Sequence, residues 1–218
     1  MNNVLKLVKL DLSLIKPYSK SLLIVLLAPL IVIYSMQDIV PGIIFCMSMM
    51  AMTSNYTFSI AEKNDLNRLY GLIPVTKKDI VAGRYMFSAA GGILAALIGL
   101  VLNIIVLTLT NHKFTLEETI VGISVGLLMY FFFTAIQLPG FFKFGAIKGR
   151  FISFIPFVGL FFVSVIARGV NPESLSKLPT IAVLNNAYAF FVVSILLDII
   201  FYGISMGVTL KMYEKMEL

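Results

Sequence analysis

The chain has few of the residues on which most active sites depend. Only 13% of its 218 residues are charged, and it has one cysteine, Cys46, and one histidine, His112. A single cysteine excludes an intramolecular disulfide framework and a cysteine-based metal site, so we interpret Cys46 as a packing residue. Glu117 and Glu118 form an acidic pair, but they lack the further ligands that a catalytic metal needs. We therefore predict no catalytic residues, no metal site and no enzyme activity in this chain.

A phosphate-binding loop is also absent. The sequence contains no G-x-x-x-x-G-K-[ST] run, so the chain has no loop of its own that could cradle a nucleotide. We expect it to bind no cofactor. If the protein works by ATP, a separate subunit must bind the nucleotide.

Most of the chain is hydrophobic. They make up 59% of the chain, the mean hydropathy is +0.97 and phenylalanine alone occupies 18 positions. A soluble domain of this length cannot bury so much apolar surface in one core, so lipid surrounds most of the chain. The formal charge of +6 then reflects orientation in a membrane, and we expect no nucleic-acid partner.

Six apolar segments are each about long enough to cross a bilayer, which takes roughly 17–25 residues. An open sheet could not satisfy its backbone in hydrocarbon, so we predict that all six are helices. The predicted spans are 21–36, 39–60, 86–110, 118–138, 151–167 and 188–210. The sequence therefore predicts an all-α integral membrane protein, with a single transmembrane domain over residues 1–218.

Residues 1–20 have the pattern of a basic amphipathic helix. Polar residues recur every three or four positions and share one helical face, and apolar residues fall on the other side. The polar set is Asn2, Lys6, Lys9, Ser13, Lys16 and Lys20, and the apolar set is Val4, Leu5, Val8, Leu12 and Ile15. Such a helix lies in the membrane interface, and we expect Pro17 to end it. A signal peptide is the alternative, but no A-x-A-like cleavage site follows the apolar run.

Lysine and arginine are distributed unequally between alternate connections. Most of the 17 lie in the N-terminal helix, in residues 61–85, in the connection 140–150 and at the C-terminus. The positive-inside bias therefore predicts that both termini and residues 61–85 are cytoplasmic. On the other side, the connection 168–187 contains Asn171-Pro172-Glu173, which is typical of a short helix start, although an ordinary polar loop is the alternative.

Residues 61–85, AEKNDLNRLYGLIPVTKKDIVAGRY, form a charged segment between two spans. Its first part predicts a short polar helix with an aromatic-aliphatic side, which Gly71 can end. The four residues 76–79, TKKD, then have the spacing of a capping box, which predicts a second helix that runs into the third span. A plain anchoring loop that obeys the positive-inside bias is the alternative.

The sequence around this segment resembles the membrane subunits of ABC-2-type exporters. It is similar in particular to small bacterial permeases that export phenol-soluble modulins or antimicrobial peptides. The matching residues are Glu62-Lys63-Asn64, then residues 72–79, LIPVTKKD, and then Arg84-Tyr85. The layout of an amphipathic N-terminal helix, six spans and two inner termini is also that of these type V exporter-like proteins.

The resemblance implies how such a protein would work. In that family the segment after span two carries a coupling helix that sits in a groove of the ATPase subunit, and here it would comprise Glu62, Lys63, Asp65, Leu66, Arg68, Leu69 and Tyr70. It also implies ATP and Mg on that separate subunit, a second permease copy or paralogue in a 2+2 assembly, and a bacterial plasma membrane. The cargo would be hydrophobic or amphipathic, such as small cytolytic or antimicrobial peptides.

Polar residues inside the spans are candidates for a translocation path. Asp198 is the only acid deep in a span, and it shares a helical face with Ser194, Tyr202 and Ser205. An intramembrane carboxylate normally faces a partner or a wet cavity. It could line a transport route, form a structural hydrogen bond, or act as the ion or proton site of a partner-free secondary transporter or channel. Asn103 and Gln137 are weaker candidates of the same kind.

Small residues and methionines complete the set of notable patterns. Small residues recur at a spacing of four, which lets helices approach closely in lipid, either within the chain or between subunits. They are Gly91, Ala95 and Gly99, then Gly122 and Gly126, then Gly203 and Gly207. Met47, Met49, Met50 and Met52 indicate either core packing or an adaptable surface for apolar ligands.

Overall fold

The computed structural model describes residues 3–64, 66, 75–169 and 186–215, and the described secondary structure is helical throughout, without strands. There are eight described α-helices. They are α1 (Asn3–Ile15), α2 (Ser19–Met36), α3 (Ile39–Met52), α4 (Asn55–Lys63), α5 (Lys77–Leu109), α6 (Leu116–Phe144), α7 (Ile155–Gly169) and α8 (Ala187–Glu214). Short 3-10 turns occupy Lys16–Tyr18 and Arg150–Phe154. The predicted all-α class is confirmed.

Four helical segments of the described chain are long and apolar enough to cross a membrane. They are Ile39–Lys63, which joins α3 and α4, together with Lys77–Leu109, Leu116–Phe144 and Ala187–Glu214. These correspond to the second, third, fourth and sixth predicted spans. The fifth prediction falls on a shorter apolar helix and the first on α2, so the count of six spans stays a prediction.

The ends of the helices are set by local hydrogen bonds. At the start of α5, Thr76 Oγ1 accepts from the Asp79 backbone N–H at 3.1 Å, and Asp79 Oδ2 accepts from the Thr76 N–H at 3.1 Å. This confirms the predicted capping box and extends the helix well before residue 86. Thr115 and Glu118 form the same box at the start of α6, where the sequence-based prediction had no capping box.

The structure ends α1 close to Pro17 and divides one predicted span. α1 ends at Ile15, just before the 3-10 turn that contains Pro17, and the first residues of α2 follow that turn. The predicted span 39–60 breaks at residues 53–54, where Thr53 Oγ1 donates to the Met50 carbonyl at 2.7 Å. Short polar side chains that bond to the backbone in this way compete with helical hydrogen bonds, which accounts for the break.

Packing in the bundle uses small residues where helices approach. A Cβ atom at Gly99 of α5 would lie 3.2 Å from the Cys46 sulfur of α3, and one at Gly126 of α6 would lie 2.7 Å from the Met47 sulfur. Along these contacts α6 runs parallel to α3, while α5 runs antiparallel to it. Cys46 is a buried free thiol, as a packing residue would be.

The connections that carry most of the basic residues come together at one end of the bundle. Glu62 at the end of α4 contacts residues 146–147, and Lys77 Nζ at the start of α5 donates to the Glu214 carbonyl at 3.3 Å. Asp11 of α1 pairs with Arg84 of α5 at the same end. We call this the basic end. Its position on the cytoplasmic side stays a prediction.

Candidate functional site

Glu62 is the residue of the charged segment whose contacts are most fully described. Its Oε2 accepts the backbone N–H groups of Ala146 at 2.8 Å and of Ile147 at 3.0 Å. Gly145 precedes them with φ +73°, and a Cβ there would lie 2.9 Å from Glu62 Oε2. A carboxylate that accepts two amides in a glycine turn makes a charge-assisted clamp. Glu62 therefore ties the end of α4 to the turn that follows α6.

The rest of the predicted coupling helix is described only in part. Lys63 is exposed in the last turn of α4, and Leu66 is buried in the core cluster at the basic end. Asp65, Arg68, Leu69 and Tyr70 lie outside the described residues. The predicted outer helix at Asn171-Pro172-Glu173 lies outside them as well.

An ion pair that the sequence analysis did not anticipate holds α1 to the bundle. Arg84 Nη1 lies 2.9 Å from Asp11 Oδ1, and both residues are buried. The Arg84 guanidinium also lies over the Phe58 ring, 4.9 Å from its centroid. Burial raises the pKa of the Asp11 carboxyl to about 6, and Arg84 opposes that rise. The desolvation of the carboxylate therefore outweighs its attraction to the guanidinium.

The interfacial location of α1 stays a prediction, but the helix has three faces where the sequence predicted two. Leu7 and Asp11 are buried against the bundle, while Leu5 and Leu12 of the predicted apolar face are exposed at 43% and 61%. Lys6, Lys9 and Lys16 form a separate polar side. The sequence indicated this buried third face, because Asp11 lies on the side of the helix that faces away from the lysines.

The predicted polar stripe of α8 faces its neighbouring helices. Ser205 Oγ donates to the Ala135 carbonyl of α6 at 2.6 Å, and Tyr202 OH donates to the Tyr85 carbonyl of α5 at 3.0 Å. The Tyr85 hydroxyl lies 2.7 Å from the Ser205 oxygen. Tyr202 and Ser205 thus hold three helices together by interhelical hydrogen bonds.

The two outer members of the stripe behave differently. Ser194 is fully buried and donates to the Phe191 carbonyl of its own helix at 2.8 Å. Asp198 is only 5% exposed, and its Oδ1 has no hydrogen-bond partner among the described residues. Asp198 is therefore the member of the stripe that the described packing leaves open for a further role.

Comparison with known families decides what kind of membrane protein this is. Residues 6–214, nearly the whole chain, match the family described as ABC-2 family transporter protein. The chain belongs to the ABC-2 transporter family. It is thus a membrane permease of an ABC transporter, and membership implies association with an ABC ATPase. The comparisons with curated proteins and with solved structures gave no match.

Family membership confirms the broader resemblance that the charged segment indicated. The closer likeness to peptide-exporting permeases stays a prediction. Among residues 3–64, 66, 75–169 and 186–215 of this ABC-2 permease, no group of three His, Cys, Asp or Glu side chains could hold a metal ion.

The small-residue sets of this ABC-2 permease have two different surroundings. A Cβ at Gly91 would lie 3.4 Å from the Tyr130 hydroxyl, and one at Gly122 would lie 3.2 Å from Ile43 Cδ1, so those sets lie at helix contacts within the chain, where Ala95 is also fully buried. Gly203 and Gly207 of α8 have no heavy atom of the described residues within 4 Å of an added Cβ. Internal packing therefore accounts for the sets of α5 and α6 but not for that of α8.

A cavity of about 280 Å³ lies at the basic end of the ABC-2 permease, between α4, α5, α6 and α8. Its walls combine phenylalanine rings with the charged side chains of Glu62, Arg84 and Lys143. The clamp at Glu62 and the ion pair at Arg84 border the same space.

Proposed function

We propose that this chain is the membrane subunit of an exporter whose separate ATPase docks on residues 62–70. The observation that carries the proposal is the anchoring of the charged segment at residues 62 and 77, on either side of the predicted coupling helix. Glu62 holds the turn after α6, and Lys77 contacts the last turn of α8. A force applied to the segment between these anchors would reach the predicted spans two, three, four and six.

The division of labour follows from the composition of the chain. ATP and Mg would be bound by the ATPase subunit, because this sequence has no phosphate-cradling loop. The chain itself would carry out no catalysis. It would convert the closure of the ATPase subunits into a rearrangement of its helices, by alternating access or by lateral gating between two permease copies, identical or paralogous.

The cargo we propose is hydrophobic or amphipathic, such as small cytolytic or antimicrobial peptides. Two considerations support it: the resemblance of the charged segment to peptide-exporting permeases, and the aromatic-rich, nearly uncharged spans. With the positive-inside bias, the basic end would face the cytoplasm of a bacterial cell and the cargo would leave at the opposite end.

Charge reversal in the coupling segment tests this function. In cells that express the ATPase, the variant Arg68→Glu with Tyr70→Ala is expected to abolish ATPase-dependent export while membrane insertion stays intact. The reason is that docking requires this surface, whereas insertion depends on the apolar spans. Export is measured as the rate of cargo appearance outside the cell.

The matched control places the same number of changes at the opposite end of the bundle. His112→Ala with Lys113→Glu alters the exposed connection between α5 and α6, and export is expected to continue at the wild-type rate. Undiminished export by the Arg68 and Tyr70 variant would refute the coupling assignment.

A partner-free carrier is the second candidate function, and the buried Asp198 favours it. Its Oδ1 has no hydrogen-bond partner in the described chain, as expected of an ion or proton site. Purified permease in vesicles without an ATPase separates the two functions. The exporter predicts no cargo movement under an imposed proton gradient, and a carrier predicts movement that Asp198→Asn abolishes.

A further inference from the structure

A cavity of about 650 Å³ lies between the 3-10 turn before α2, the middle of α2, the joint of α3 and α4, and the 3-10 turn that leads into α7. Its lining changes in character along its length. Lys63 and Arg150 line it at the basic end, Tyr56 lies further in, and Met49 and Met52 lie beyond the joint. The cavity is therefore cationic at one end and apolar at the other.

Neither cation of this cavity is neutralised by the described protein. Lys63 and Arg150 are exposed, and neither forms an ion pair with another residue of the described ranges. The nearest acid in sequence, Glu62, is engaged by the backbone amides of residues 146–147. Two unpaired cations of this kind attract an anionic group, and arginine in particular suits the oxygens of a phosphate.

A buried hydroxyl provides a second and independent indication of a ligand. Ser153 lines the cavity and is 8% exposed, yet its Oγ has no hydrogen-bond partner in the described part of the chain. A buried hydroxyl without a partner is unfavourable, so such a group normally meets a water or a ligand oxygen. Tyr18 and Tyr56, whose ring centroids are 6.4 Å apart, line the same space.

The length of the cavity suits an extended acyl chain. From Lys63 to Met49 the lining helices rise roughly 20 Å at 1.5 Å per residue. A cavity of about 650 Å³ along that length has room for a flexible chain. Methionine side chains are unbranched and adapt to flexible apolar ligands, which suits the inner part of the cavity.

We propose that this cavity binds an anionic phospholipid from the leaflet at the basic end. Its phosphate contacts Lys63 and Arg150, an oxygen of its headgroup region satisfies Ser153, and an acyl chain lies along Met49 and Met52. The bound lipid bridges α2, α4 and the turn before α7. This inference depends neither on ATPase docking nor on the identity of the cargo.

The chain contains no tryptophan, so a single introduced tryptophan reports on the cavity alone. The full-length Tyr56→Trp protein is placed in phosphatidylcholine vesicles that contain the same fraction of either brominated phosphatidylglycerol or brominated phosphatidylcholine. We expect the brominated anionic lipid to quench the tryptophan several-fold more strongly. Adding Lys63→Gln and Arg150→Gln is expected to remove that preference. Equal quenching of the Tyr56→Trp protein by the two lipids would overturn the proposal.

Matched variants separate this site from general attraction to a basic surface. Lys9→Gln with Lys148→Gln removes two exposed cations at the basic end that do not line the cavity, and the lipid preference is expected to persist. If that pair lowers the preference as much as the Lys63 and Arg150 pair, general electrostatics explain it and the site is rejected. A tryptophan at Phe201, which is 42% exposed on α8, is expected to show no preference.

A second reporter position and one further outcome complete the test. If Tyr56→Trp loses helicity by circular dichroism, Phe154→Trp in the same cavity replaces it as the reporter. If a brominated anionic peptide quenches the reporter and brominated phosphatidylglycerol does not, the cavity is a cargo site and the lipid assignment is wrong.

Discussion

Asn103 is fully buried in α5. Its amide fits against α3 because Gly42 of that helix has no side chain. The Nδ2 group donates to the Gly99 carbonyl of its own helix at 2.8 Å, which fixes the orientation of the amide. Oδ1 then points at Gly42, where an added Cβ would overlap it and would lie 2.9 Å from Ile33 Cγ1. Gly42 is therefore required at the contact of α3 with α5, and Asn103 acts in packing there.

Gly42→Ala is expected to destabilise the protein by about 1–3 kcal/mol, the usual effect of overpacking a close contact. Adding Asn103→Ala is expected to restore part of the loss because it removes the overlapping oxygen. The control is Gly203→Ala, whose added Cβ would meet no atom of the described chain within 4 Å. Thermal unfolding midpoints in detergent measure all three, and a Gly42→Ala midpoint equal to that of Gly203→Ala would contradict the packing account.

At the scale of elements, the docking of α1 is the main departure from the sequence-based prediction. The lysine face and the exposed Leu5 and Leu12 suit a helix that lies in the membrane interface. The third face carries Leu7 and the Asp11–Arg84 pair, which attach the helix to the start of α5. A shift of α5 would therefore move α1 with it.

Replacement of the buried pair tests the physical basis of this attachment. Asp11→Leu leaves the always-charged Arg84 buried without its carboxylate and is expected to cost about 3–5 kcal/mol. Arg84→Met is expected to cost less, because Asp11 can take up a proton. The double variant Asp11→Leu with Arg84→Met is expected to lie within about 1 kcal/mol of wild type. Unfolding midpoints give the comparison, and a double-variant loss equal to the sum of the two single losses would show that Asp11 and Arg84 do not interact, which would contradict this account.

Local signals predicted some elements and long-range contacts decided others. The start of α5 was predictable because the capping box involves four consecutive residues. The contact that holds the joint of α3 and α4 against α6 was not, because Ser54 donates to Gln137 Oε1 at 3.0 Å across 83 residues. The clamp of Glu62 on the turn at Ala146 depends in the same way on a distant segment. The sequence placed Glu62 correctly in a charged segment but could not show what its carboxylate contacts.

At the scale of the whole molecule, the fold separates a basic end from an apolar bundle. The distribution of lysine and arginine along the chain grouped the N-terminus, the charged segment, the connection 140–150 and the C-terminus, and the described contacts bring these same parts together. The apolar surface of the bundle suits lipid, and residues 6–214 match the ABC-2 transporter family. The central claim is that an ATPase subunit acts on this basic end.

The most direct test is co-purification followed by an ATPase assay. The chain is expressed together with an ABC ATPase encoded beside it, purified through a tag on the permease, and assayed for ATP hydrolysis in the retained complex. The account predicts a stoichiometric ATPase subunit and ATP hydrolysis, both lost in the Arg68→Glu, Tyr70→Ala variant and both retained in the His112→Ala, Lys113→Glu control. A folded permease that retains no ATPase subunit would contradict it.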